Sequence, residues 1–67
     1  MINWEKENIR ALRKHLCKTQ VEMAVDMGIR QQTISEWELG LYKPRGTSAM
    51  LLNIIAERAD FQYSIKK

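Results

Sequence analysis

A chain of 67 residues, 45% hydrophobic and 28% charged, is too apolar to stay disordered and sits near the lower size limit for a domain that folds without metals or disulfides. Its one cysteine, Cys17, excludes an internal bridge, no Cys/His cluster has zinc-ligand spacing, and no apolar run approaches the ~18 residues of a membrane span. A net charge of +3 and a pI near 9.3 permit binding to phosphate without requiring it.

No charged-then-apolar leader opens the chain, so a soluble, cytoplasmic protein is expected, with Cys17 a helix-end thiol in a reducing compartment. Asn3 suits the N-cap of a first helix, with Glu5 and Glu7 in its first turn, where negative charge complements the dipole. Ile9, Leu12 and Leu16 recur as a core-facing stripe, and Arg13, four residues after Ile9, turns toward the same face. A charge there needs a partner or a route to solvent, because an unpaired buried charge is strongly destabilising. Arg10, Lys14, His15 and Lys18 occupy other faces. His15 has no acidic or cysteine neighbour at ligand spacing, so neither a catalytic nor a metal role is expected.

The stretch Thr19 to Gly40, TQVEMAVDMGIRQQTISEWELG, predicts two short helices joined by a tight turn. Thr19 and Glu22 form a capping box, so a helix should begin at Gln20. Met23, Ala24 and Met27 give it one apolar face, and Gly28 supplies the left-handed conformation that stops it. Val21 and Val25 fall off that face, either as scattered surface apolars or as the edge of a contact patch. From about Arg30 a second helix runs to Leu39, with Ile34 and Trp37 inside and Gly40 as its stop. Its outer face carries Arg30, Gln31, Gln32, Thr33 and Glu36. A glutamine amide matches the N6/N7 edge of adenine in the major groove and an arginine matches guanine, so this is the composition of a recognition helix.

The spacing Thr-Gln-x-Glu-Met-Ala, then Gly28, then Gln-Gln-Thr-Ile-Ser-Glu-Trp-Glu-x-Gly, with Ile9, Leu12 and Arg13 upstream, resembles the helix-turn-helix domain of the phage repressor and Cro family, lambda repressor-like and XRE-type, over about Ile9 to Arg45. The resemblance implies an all-α fold, a compact bundle of four or five helices that binds operator DNA as a homodimer. It implies an ion pair between Arg13 and Glu38, the alternative being two side chains that reach solvent separately. It puts Gln20 on a phosphate, together with the amides at its helix start, and makes Gln31, Gln32 and Glu36 reach base edges. A carboxylate at 36 is repelled by phosphates unless it accepts from a cytosine or adenine amine; otherwise it is an ordinary surface charge. Arg30 stands where relatives often carry a Ser or Thr cap, which weakens the cap by about 1 kcal/mol but adds a cation beside the DNA. Thr33 is expected on a thymine methyl or a phosphate, and Lys18, just before the capping box, beside the DNA backbone.

Leu41 to Gly46 is a loop by composition, with Lys43 and Arg45 flanking Pro44. Loops beside a recognition helix are where relatives of that family grip the second phosphate strand, so Tyr42, Lys43 and Arg45 are backbone-contact candidates, a solvated turn being the alternative. Thr47 or Ser48 can cap a last helix running to about Ala59, with Leu51, Leu52, Ile54 and Ile55 on its apolar face. The order PRGTSAMLL is similar to that of compact bacterial regulators, among them the antitoxins of toxin–antitoxin operons. From Asp60 to Lys67, Phe61, Tyr63 and Ile65 alternate with polar residues in a short extended tail, expected to pad the core or to pair with a second chain.

Residues 1–67 are therefore expected to form one helix-turn-helix domain, with its core at 19–40 and its tail at 60–67. The leading expectation is a sequence-specific transcriptional regulator, a repressor acting as a homodimer on a two-fold operator in double-stranded DNA. The second is an antitoxin-type module that neutralises a toxin and autoregulates its operon. No enzyme is expected, since no nucleophile, base and orienter stand at useful spacing; no cofactor, metal or membrane partner is expected either.

Overall fold

The computed structural model describes residues 3–61, which form four helices and no strand: α1, Lys6–His15; α2, Gln20–Met27; α3, Gln31–Leu39; and α4, Thr47–Arg58. This is the expected all-α class with the lower of the two helix counts. The expected extended tail lies, from residue 62 on, outside the described residues.

Each helix starts and stops for a local reason, though not always the one expected. At α1 the cap is Glu5 rather than Asn3. The side chain of Asn8, 1% exposed, explains the shift: its Oδ1 accepts the Glu5 N–H at 2.6 Å and its Nδ2 donates to the Asn3 carbonyl at 2.8 Å, folding residues 3–5 back over the first turn. At α2 the capping box forms as expected, Thr19 Oγ1 accepting from the Glu22 N–H at 3.1 Å and Glu22 Oε1 from the Thr19 N–H at 2.9 Å. Gly28, at φ 71°, ends α2, and its left-handed turn re-aims the chain into α3. Neither Thr47 nor Ser48 caps α4; Gly46 does, at φ 52° and ψ −121°.

Helix α3 packs against both α1 and α2. The core between them is Trp4, Ile9, Leu12, Met23, Ala24, Met27, Ile34, Trp37, Leu52 and Ala56, with Leu16, Ile29, Leu51, Ile55 and Phe61 packed around it. On α4 the buried positions are Leu52 and Ala56, four apart, whereas Ile54 is 42% exposed and leaves the expected apolar face. Trp4 enters the core from before α1, and its indole N–H donates to Asn53 Oδ1 of α4 at 2.9 Å. At the C-terminal end of α4, His15 Nε2 donates to the Ala59 carbonyl at 2.8 Å, and the ring lies 5.3 Å from that of Phe61. His15, which the sequence leaves alone, thus joins the end of α1 to the end of α4.

Candidate nucleic-acid interface

The two sides of α3 differ in kind. Ile34 and Trp37 are in the core, Gln31 and Gln32 are exposed, and Thr33 and Glu36 are half-buried along the boundary. Arg30 caps the helix with extended backbone and an exposed side chain that makes no capping bond. The five residues expected to read bases therefore occupy the first two turns of one short helix, held out by its apolar side.

Beneath them lies a buried carboxylate. Glu38 is 4% exposed, and Arg13 grips it with two bonds, Nε to Oε2 at 2.7 Å and Nη2 to Oε1 at 3.0 Å. Arg13 Nη1 also donates to the Lys18 carbonyl at 3.1 Å, and Arg10 Nε stands 3.6 Å from Glu38 Oε1. Burial alone would raise the Glu38 carboxyl. The hydrogen bonds from Arg13 and Gln20, with the charges of Arg13 and Arg10, outweigh it and hold the group below the ordinary carboxylate value. The hydrogen bond to Glu38 in turn raises Arg13 above its usual value, against its own partial desolvation.

From Glu38 a chain of amides runs out to the surface. Gln20 Nε2 donates to Glu38 Oε1 at 3.2 Å, and Gln31 Nε2 donates to Gln20 Oε1 at 2.6 Å. Because a carboxylate only accepts, Gln20 must turn its NH2 inward and its oxygen toward Gln31, so the direction of both amides follows from the buried end. The Gln20 side chain, expected on a phosphate, is here engaged in bracing Gln31. The Gln20–Gln31 contact was not legible in the sequence; its only signal is that both residues open helices that one tight turn brings together.

The expected phosphate contacts lie on both flanks. Lys18 is half-buried and ion-paired with Asp26. Tyr42, Lys43 and Arg45 are exposed, with Lys43 Nζ 3.5 Å from Glu5 Oε2. Thr33 and Trp37 of α3 line a shallow concavity of about 770 Å³ together with Tyr42, Lys43, Arg45 and Ser48, so the loop cations and α3 share one surface. Ser48, expected only as a possible helix cap, is half-buried at the start of α4 and adds a hydroxyl to that surface. Along α2, Val21 and Val25 are 58% and 73% exposed. Among the described residues no three His, Cys, Asp or Glu side chains gather in a way that could hold a metal.

A capped helix, a left-handed glycine turn and a second helix with an exposed polar side make a helix-turn-helix, and the family model of that description, Helix-turn-helix, matches residues 9–53, about two thirds of the chain. The chain belongs to the XRE-type, lambda repressor-like helix-turn-helix family. The match runs past Arg45 through the loop and into α4. Compared with the curated proteins and with the solved structures, the chain has no significant match in either. As a member of this family, one of DNA-binding regulators rather than enzymes, it binds double-stranded DNA and regulates transcription. Among the described residues no helix is long and apolar enough to cross a membrane.

Proposed function

We propose that this XRE-type regulator is a repressor that binds as a homodimer to a two-fold operator, reading bases with Arg30, Gln31, Gln32, Thr33 and Glu36 and gripping phosphates with Lys18, Tyr42, Lys43, Arg45 and the start of α2 at Gln20. The observation that carries it is the pair of exposed amides at Gln31 and Gln32, one of them braced through Gln20 to a buried ion pair. Bracing fixes the rotamer of a long side chain before DNA arrives, which lowers the entropic cost of using it for recognition. Dimerism follows from reach. Nine helical residues span about 13 Å, which covers only a few base pairs. A second copy one helical turn away, about 34 Å, doubles the sequence read. Repression by occluding polymerase needs nothing beyond such binding.

Selection of bound duplexes from a random pool tests this directly. The expected result is a preferred site with two-fold symmetry. Gln31→Ala or Gln32→Ala should lose about 1–3 kcal/mol of discrimination at one position of each half-site. Lys43→Ala or Arg45→Ala should instead weaken all duplexes alike and reduce the salt slope by about one. Glutamine variants that bind preferred and random DNA as the parent does would refute the assignment. The antitoxin reading draws on the exposed Val21 and Val25 of α2, a surface that a protein partner could cover; co-purification of a small toxin, lost in Val25→Asp, would favour it.

A further inference from the structure

Resting on the reading of α3 as the base-reading helix, we propose that Glu36 fixes the orientation of the Gln32 amide and thereby makes the protein choose adenine over guanine at the base Gln32 faces. Gln32 Nε2 donates to Glu36 Oε2 at 3.3 Å, one turn along α3. Glu36 is half-buried, next in sequence to the buried Trp37, whereas Gln32 is exposed, so the carboxylate is the better anchored partner.

An isolated glutamine amide is nearly symmetric in shape and can turn over, exchanging its donor and acceptor ends. Beside a carboxylate it cannot do so without placing oxygen against oxygen. Gln32 therefore keeps one N–H on Glu36, and its outward edge offers one acceptor, Oε1, and one remaining N–H. That edge matches adenine, whose N6 amine donates and whose N7 accepts. Guanine presents two acceptors, N7 and O6, and would need both N–H groups of the amide, one of which Glu36 holds. Glu36 acts here through Gln32, as a positioning residue, and its charge near the phosphates is the cost of an unambiguous edge.

The test uses the full chain and three proteins in parallel selections from a random duplex pool: the parent, Gln32→Ala and Glu36→Gln. Gln32→Ala identifies the operator position by the preference it loses. At that position the parent should take adenine over guanine by about tenfold or more, and Glu36→Gln should bring the ratio to within about threefold, because glutamine at 36 can accept or donate and lets Gln32 turn over. Loss of a negative charge tightens binding to every duplex, so a general electrostatic role for Glu36 would move all positions together and leave the ratio intact. A ratio unchanged in Glu36→Gln, guanine selected by the parent, or no position altered in Gln32→Ala overturns the proposal, while the DNA-reading role of α3 stands as long as Gln31→Ala alters a position. A parent that selects no sequence removes that role, and the proposal with it.

Discussion

At the scale of single residues, more interactions converge on Glu38 than on any other side chain described. It sits where α1, α2 and α3 meet and takes hydrogen bonds from Arg13 and Gln20. Removing one partner of such a pair leaves a buried charge uncompensated, which is far worse than removing both. Arg13→Ala should therefore destabilise the fold by about 3 kcal/mol or more, whereas Arg13→Met combined with Glu38→Leu should recover most of the loss, measured by urea unfolding. The pair also sets a pH dependence. The Glu38 carboxyl is lowered in the folded protein, so its contribution is fully present above the ordinary carboxylate value, about 4.3, and is lost as pH falls through the lower folded value. The thermal midpoint should drop on acidification below about pH 4, and Glu38→Gln should flatten that drop while lowering the midpoint at pH 7.

At the scale of helices, the ends carry the conformational constraints. Helices α2 and α3 stop on glycine, but α1 stops on Leu16 followed by Cys17, a residue with a Cβ held at φ 58°. The turn is closed by bonds from the Cys17 N–H to the Lys14 carbonyl at 3.0 Å and from the Lys18 N–H to the Arg13 carbonyl at 3.2 Å, which is why the strained residue persists. A left-handed conformation costs an L-residue about 1–2 kcal/mol that glycine avoids. Cys17→Gly should thus stabilise the protein by roughly 1 kcal/mol, and Gly28→Ala should destabilise it by a similar amount, each read as a shift in the chemical-denaturation midpoint. A Cβ at Gly28 meets no atom within 4 Å, so the backbone angle alone decides the sign there.

At the scale of the molecule, α4 is tied to the rest of the fold near its middle and at its C-terminal end. Trp4 fills the core and donates to Asn53 near the middle of the helix, and His15 and Phe61 meet at its end. These contacts hold α4 to residues at either end of α1, while Gln31 and Gln32 of α3 stay exposed. Trp4→Phe should cost about 1 kcal/mol through the lost indole bond and the orphaned Asn53 amide oxygen. Trp4→Ala should cost about 3–5 kcal/mol, since it also empties the core. Hydrogen exchange should show the α4 amides losing protection first in Trp4→Phe, with those of α2 and α3 following only on global unfolding.

What the sequence by itself determined about this protein is everything governed by near neighbours along the chain. The capping box at Thr19 and Glu22, the stops at Gly28 and Gly40 and the inner faces of α2 and α3 follow from backbone sterics and from the 3.6-residue period. The family pattern spanning them was legible for the same reason, because a helix-turn-helix is set by such local terms. Only the tertiary structure decided the rest. Packing against the other helices chose Leu52 and Ala56 over Ile54 as the inner side of α4. The same holds at the site: the polar composition of α3 is written in order, but the route from Arg13 through Glu38 and Gln20 to Gln31 joins three helices. Hydrogen-bond direction in such a route is set by its acceptor-only end. That end is buried only once the helices have packed around it.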